Sequence, residues 1–251
     1  MSTPAVYNMT DLHMHLIPGV DDGARSMEMS LEMLRQASRQ GITRIFATPH
    51  SDAFRQQPEE ISGLFRSLSD AAARVCPDMK LHLGCEVFCT PWTMEPILTA
   101  LKAGRYPTMN AGPYVLIEFS QYVYPEETLP CVEALILAGY RPILAHLERY
   151  KMLCDDMALV DQLRQAGALI QINAYSLADE KKDSIRGWAR RLVLERKADF
   201  LGTDAHRTDH RPPIAERGLQ WLYAHADQDY ADALAHKNAR RLLLSSTPEQ
   251  D

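Results

Sequence analysis

Seven short apolar runs alternate with helical-period runs from one end of this chain to the other, and that alternation limits the folds open to it. The strand-like runs lie near residues 7–13, 43–47, 80–86, 114–119, 141–145, 168–172 and 198–202. Ser26 is placed to cap a helix in which Met27, Leu31 and Leu34 share a face, with Gly41 as its stop. Ile61, Leu64, Leu68 and Ala72 share a face within 60–75, and Leu129, Val132, Leu135 and Ile136 share one within 126–138. Residues 156–166 and 184–196 read the same way, and helices near 214–226 and 229–244 close the chain. Repeated strand–helix units without a linker predict an α/β fold, a single domain over residues 1–251. A chain of 251 residues suits one closed (β/α)7 barrel. A doubly wound open sheet is the alternative. It would gather its polar residues at one switch point, whereas here they are spread over almost every strand end.

Those strand ends carry the chemistry. His13 and His15 stand two apart at the end of the first run, so they share one face of a strand. Asp204 and His206 repeat the spacing after Phe200-Leu201-Gly202. His50 follows the second run, Glu86 and Glu118 end two more, His146 follows Pro142-Ile143-Leu144-Ala145, and Asp22 lies in the turn after the first. One strand-end histidine is weak evidence, but nine nitrogen or oxygen donors at successive ends form a constellation. Neutral imidazole with carboxylate suits Mn, Fe, Zn or Co rather than Ca. At three or four protein ligands each, nine donors serve two or three divalent ions, and such centres act in metal-assisted phosphoester hydrolysis.

Composition narrows the field. The net charge of −6 argues against a nucleic-acid partner. The five cysteines are odd in number, and none is followed six positions later by arginine, so the loop of a cysteine-nucleophile phosphatase is missing. No Gly-x-Ser-x-Gly elbow is present. The start, Met1-Ser2-Thr3-Pro4, does not read as a signal peptide, and no apolar run approaches the roughly 18 residues needed to span a bilayer. A cytoplasmic protein without membrane insertion is expected.

Asp11-Leu12-His13-Met14-His15, Gly19-Val20-Asp21-Asp22-Gly23 and Ala47-Thr48-Pro49-His50 resemble the opening motifs of the PHP (polymerase and histidinol phosphatase) superfamily. More narrowly they resemble its bacterial tyrosine-protein phosphatases, encoded with capsule and exopolysaccharide genes. Gly84-Cys85-Glu86, Leu116-Ile117-Glu118-Phe119, Ala145-His146-Leu147-Glu148-Arg149-Tyr150, Gln171-Ile172-Asn173-Ala174 and Thr203-Asp204-Ala205-His206 continue the likeness in order, over roughly residues 9–244. The resemblance implies a distorted (β/α)7 barrel of the PHP type with a trinuclear centre. His13, His15, Glu86 and Asp204 would hold one ion. Glu86 would bridge to a second, with Glu118 and His146. Asp22, His50 and His206 would hold the third. Manganese is the first choice, with Fe, Zn or Co behind it. Arg149 and Arg211 would grip the substrate phosphate, for which a permanently charged guanidinium fork is suited. The implied substrate is an autophosphorylated bacterial tyrosine kinase controlling capsule or exopolysaccharide synthesis, and homo-oligomers occur in the family. Leu147 stands where the family usually has proline, and Tyr175 where a small residue is expected.

Plainer readings stand beside these. Asp21-Asp22-Gly23 is also an ordinary turn. Arg149 reads equally as a loop arginine, and Arg211 as a partner of Asp209. His82, His210, His225 and His236 read as surface or structural. Tyr122, Tyr124, Tyr150 and Tyr175 lie in loops where they could pack on a substrate ring, Tyr175 foremost. A small-molecule phosphomonoesterase of the histidinol-phosphatase kind and a non-catalytic metal-stabilised module are the competing functions.

Overall fold

The computed structural model describes residues 7–55, 58–178 and 184–244. The start at residues 1–4, used above, lies outside them. The strands are β1 (Met9–Met14), β2 (Ile42–Ala47), β3 (Lys80–Leu83), β4 (Glu86–Phe88), β5 (Tyr114–Glu118), β6 (Arg141–Leu144), β7 (Leu169–Asn173) and β8 (Phe200–Gly202). The helices are α1 (Met27–Arg39), α2 (Pro58–Val75), α3 (Met94–Lys102), α4 (Pro125–Leu137), α5 (Met157–Gln165), α6 (Ser184–Leu194), α7 (Glu216–His225), α8 (Gln228–Asp232) and α9 (Asn238–Leu244). Every strand pair is parallel, in two sheets ordered β1-β2-β3 and β4-β5-β6-β7-β8. Parallel bridges join the sheets at both seams, Met14 to Ala205 and His50 to Glu86. None of the helices among the described residues is long and apolar enough to cross a membrane.

Two layers of apolar packing hold the strands. The larger core lies between strands and helices and includes Met33, Leu34, Ile45, Val132, Leu144 and Leu163. A smaller cluster takes Leu12 from β1, Phe46 from β2, Leu116 from β5, Ile143 from β6 and Phe200 from β8. Those five strands therefore surround a common interior. Each fully buried aliphatic side chain of this kind contributes about 1.5–3 kcal/mol. Met33 belongs to the core, and Met27 and Met29 pack against it.

Local chemistry sets the ends of the elements. The Ser26 hydroxyl accepts from the Met29 amide at 3.3 Å and caps α1. Gly41 ends the turn after α1 at φ +81°, with the Tyr7 carbonyl 2.7 Å from where a Cβ would stand. The expected strand over 80–86 is two strands, because the chain changes sheets at Gly84-Cys85. A Cβ on Gly84 would lie 2.6 Å from Met109 Sδ and 3.1 Å from Thr48 Cγ2, so any larger residue there would require the Met109 side chain to shift. Helix α3 was not expected. Pro96 is the third residue of the helix, where a missing amide costs little. Met94, Ile97 and Leu101 give its buried face. The expected final helix is interrupted by a π-turn at Ala233–Lys237.

Helix α7 packs unusually close to the loop after β7. A Cβ on Gly218 would meet the Ala174 carbonyl oxygen at 1.9 Å. Gly218→Ala is therefore expected to cost about 1–3 kcal/mol, by overpacking that backbone cannot relieve. Thermal melting should fall by roughly 2–12 °C. Gly63→Ala, in α2 with nothing within 4 Å, should leave stability unchanged or raise it by up to about 1 kcal/mol. Equal melting of the two variants would refute the close approach.

Candidate metal centre

All nine expected donors meet at one end of the strands. His13 in β1 and His15 just beyond its end bring their Nε2 atoms 3.2 Å apart. The Glu86 carboxylate, at the start of β4, lies against four imidazoles. Its Oε1 is 3.2 Å from His13 Nε2 and 3.0 Å from His146 Nε2. Its Oε2 is 3.3 Å from His15 Nε2 and 3.0 Å from His50 Nδ1. Glu118, at the end of β5, reaches His50 Nδ1 at 3.3 Å and His146 Nε2 at 3.6 Å. Asp22 Oδ1 is 3.4 Å from His50 Nε2 and 3.3 Å from His206 Nε2. Asp204 Oδ1 is 3.6 Å from Nε2 of both His13 and His15.

These separations are informative. Donors bound to one ion at about 2.0–2.2 Å lie roughly 3.0–3.6 Å from one another. Three groups have all their donor atoms within 4.8 Å of each other: His13, His15 and Glu86; His50, Glu86 and Glu118; and His15, Asp22, His50 and His206. The groups overlap through His15, His50 and Glu86. The donor set and its spacing fit a centre of more than one divalent ion.

Charge points the same way. Burial opposes a proton on His15, but Asp21 and Glu86 outweigh it and lift the imidazole to about 10. Burial likewise opposes charge on His50, and Glu118 and Glu86 raise it to about 11. Burial would raise Glu86, yet the surrounding histidines hold it well below the usual carboxylate range. His206 is the exception. Burial and the charge on His15 push it down to about 3, so it stays neutral. The carboxylates thus demand positive charge at the cluster, carried by protons or by a cation that displaces them.

A further layer holds the donors in place. Asp21 Oδ2 pairs with His15 Nδ1 at 2.8 Å, which turns Nε2 toward Glu86, and it also accepts from the His50 amide at 3.1 Å. Gln171 Oε1 accepts from the His146 amide at 2.8 Å and faces His13 Nδ1 at 3.4 Å. Asp11 Oδ1 accepts from the amides of Thr203 (2.8 Å) and His13 (3.1 Å), and its Oδ2 accepts from the Thr203 hydroxyl at 2.5 Å. It fastens β1 to the segment bearing Asp204. Glu148 Oε1 accepts from the Asn173 amide and the Ser176 hydroxyl, at 3.0 and 2.8 Å, and ties the loop after β6 to that after β7. Sequence reasoning gave none of these four a role. The signal for Asp21 was present, but it read as half of a turn.

Both expected arginines converge on Asp204: Arg149 Nη1 at 2.5 Å from Oδ2 and Arg211 Nη2 at 2.9 Å from Oδ1. Asp209 pairs instead with Arg207, at 3.6 Å. His146, Asp204 and Arg211 are left-handed, with φ of +35°, +53° and +54°. Non-glycine residues in such conformations gather at functional sites. Leu147, in place of proline, is fully buried, and the Arg149 amide donates to the His146 carbonyl at 2.9 Å, so the turn is held without proline. Tyr175 lies beside Arg149, its hydroxyl accepting from Asn173 Nδ2 at 3.2 Å. Tyr150 corrects an expectation. It is fully buried, with its hydroxyl taken by the Phe119 amide at 3.1 Å, so it cannot pack on a ligand ring. His82, His210, His225 and His236 lie outside the donor groups. All five cysteines are free, and burial pushes the thiols of Cys85 and Cys89 well up, the opposite of a nucleophile.

Known proteins share this arrangement of sequence and fold. A tyrosine-protein phosphatase CpsB of Streptococcus pneumoniae is 28% identical over 243 residues, covering 94% of this chain and 98% of that protein. A putative tyrosine-protein phosphatase CapC of Staphylococcus aureus is 31% identical over 206 residues, covering 81% and 79%. Crystal structures of YwqE from Bacillus subtilis and CpsB from S. pneumoniae, described as unique metal-dependent tyrosine phosphatases, match with a TM-score of 0.85 and 28% identity, over 95% of this chain and 96% of the other. The family model for capsular polysaccharide synthesis proteins CpsB/CapC matches residues 9–244, across every strand that delivers a donor, and the chain belongs to that family.

Proposed function

We propose that this protein is a metal-dependent protein-tyrosine-phosphatase. The observation that carries the reading is the set of overlapping donor groups spaced at 3.0–3.6 Å, with two arginines at its edge. In this reading His13, His15, Glu86 and Asp204 hold one ion, and Glu86 is shared with a second held by Glu118 and His146. Asp22, His50 and His206 hold the third. His50 stands between the last two sets, its Nδ1 toward Glu86 and Glu118 and its Nε2 toward Asp22. Manganese is the first choice, then Fe, Zn or Co. Divalent ions there supply the charge that polarises a phosphoryl oxygen and lowers the pKa of water. Arg149 and Arg211 neutralise the phosphate and the charge that builds on it in the transition state. Asp21 and Gln171 hold imidazole orientation, and no thiol takes part.

Several finer points belong to the same proposal. The two sheets form one closed, distorted (β/α)7 barrel, with β3 and β4 as a single broken strand position. The bridges at both seams and the shared interior cluster support it. The chain is one domain, supported by a core running from Met9 to Ala235. The substrate is an autophosphorylated bacterial tyrosine kinase that controls capsule or exopolysaccharide synthesis, in the cytoplasm. The family and its relatives support the substrate class. Relative rates on a phosphotyrosine peptide and on histidinol phosphate separate this reading from a small-molecule phosphatase.

Chelation should abolish phosphotyrosine hydrolysis and Mn²⁺ should restore it, while replacement of each cysteine by serine leaves most activity. A Cys→Ser variant that folds, holds its metals and is inactive would contradict the thiol-independent chemistry.

Glu86→Ala should lose metal content and turnover together. Arg149→Ala should keep its metals but lose on the order of a hundredfold in kcat/KM. Metal analysis of the two variants decides this, and an ion lost from Arg149→Ala would remove that arginine from the phosphate role.

Metal binding should release protons. The folded values of His15 and His50, about 10 and about 11, lie above the ordinary 6.5, so both imidazoles carry protons at neutral pH until a metal displaces them. Affinity should therefore rise with pH until both imidazoles have lost their protons, at about 10 for His15 and about 11 for His50. Calorimetry in buffers of different ionisation enthalpy should detect protons released on metal binding, and a pH-independent affinity would contradict the assignment of His15 and His50.

A further inference from the structure

The donor cluster reaches solvent at Asp22 and His50. His13 and His15 are fully buried, whereas the Asp22 side chain is 67% exposed and that of His50 34%. A cavity of about 750 Å³ lies there, lined by Asp22, His50, Glu118 and Phe88 among others. That is far more room than a phosphate alone requires and falls in the range of sites for whole organic ligands.

The exposed aromatic side chains among the described residues all stand at or just after the ends of β4 and β5, the end that delivers Glu118 to the cluster: Phe88, which lines the cavity, and Trp92 after β4, Tyr122 and Tyr124 after β5. Phe88 pairs in register with Glu118. Trp92 is 86% exposed, while Trp188 and Trp221 are buried. It stands on a short turn whose backbone is fixed by Thr90 and Thr93, with their hydroxyls 3.0 Å apart. Tyr122 is held, its hydroxyl accepting from Lys151 Nζ at 3.1 Å with that ammonium 4.6 Å from the ring centre. Exposed, pre-organised aromatics beside a cavity are the usual anchors of a polypeptide partner. Acidic groups share the rim: Asp52 lines the cavity, and Glu126 and Glu127 open α4 beside Tyr124. An acidic segment would be repelled there.

We propose that Phe88, Trp92, Tyr122 and Tyr124 form the docking surface for the polypeptide on either side of the phosphotyrosine, and that the enzyme selects substrates with apolar or aromatic rather than acidic flanking residues. The proposal rests on the phosphotyrosine-phosphatase reading of the cluster and adds the part of the substrate that lies outside it. The phosphate and ring enter the cavity, and the flanking side chains lie on the rim, with Trp92 as the principal contact.

The test uses Mn²⁺-supplemented full-length protein, wild type, Trp92→Ala and Trp92→Phe. Three phosphotyrosine peptides carry leucine and phenylalanine, glycine and serine, or glutamate at the flanking positions, and p-nitrophenyl phosphate serves as a substrate without flanks. Wild type should favour the apolar peptide over the acidic one by about tenfold or more in kcat/KM. Trp92→Ala should lose that preference through KM, with p-nitrophenyl phosphate kinetics unchanged, and Trp92→Phe should recover most of it. Independently of turnover, a non-hydrolysable phosphonate form of the apolar peptide should shift wild-type tryptophan emission to the blue, and the shift should vanish in Trp92→Ala. Equal kcat/KM on all three peptides, or no emission shift on binding, would overturn the proposal. Loss of p-nitrophenyl phosphate and peptide turnover in equal measure in Trp92→Ala would overturn it as well. A wild type inactive on all four substrates would instead strike the phosphatase reading, with the emission measurement still deciding the rim.

Discussion

Glu86 is a carboxylate buried to 1% exposure at the meeting point of four imidazoles, from the ends of β1, β2 and β6. An isolated carboxylate could not stay ionised there, because desolvation alone would drive it neutral. It stays charged because the opposing charge converges from separate strands. Each strand must therefore end at the same height and deliver its residue inward. Parallel strands satisfy that condition, since all their C-terminal ends point one way. The shared interior of Leu12, Phe46, Leu116, Ile143 and Phe200 sets the strands beneath the site, and the polar layer of Asp11, Gln171 and Thr203 lies between that apolar floor and the donors.

Much of this could be read from the chain. The positions of the strands and most helices followed from periodicity, and the ligand-type residues at strand ends were visible without a structure. What escaped was of two kinds. Helix α3 carries Pro96, and proline marks a break in a helix interior but is tolerated in a first turn. The roles of Asp21, Gln171, Asp11 and Glu148 were hidden because they depend on contacts across 6 to 192 residues of sequence, such as Asp21 with His15 or Asp11 with Thr203. An orienting carboxylate has no spacing rule that distinguishes it from a turn residue. Tyr150 shows the converse: a tyrosine in a loop near the site is not thereby accessible, and its hydroxyl braces the backbone after β5 instead.

The arginines illustrate how a site can be held ready. Asp204 is flanked by Arg149 and Arg211 on one side and by His13 and His15 on the other. Its carboxylate therefore fixes both guanidinium groups beside the donor cluster, Arg149 at Oδ2 and Arg211 at Oδ1. The left-handed backbone at His146, Asp204 and Arg211 belongs to the same arrangement: three strained residues aim three charged groups at one spot, and the surrounding packing supports the strain.

Asp11 and Thr203, which fasten the first strand to the last, are separated by 192 residues of chain. On a ribosome that distance is time, about 10–40 s at ordinary elongation rates. During that interval His13, His15, His50 and Glu86 have emerged, while Asp204 and His206 have not been made. A nascent chain can therefore present a partial set of metal donors with no seam to close it and no arginine pair beside it. The completed centre is a property of the finished chain, and any hydrolytic capacity arises late and all at once, when the eighth strand reaches the first.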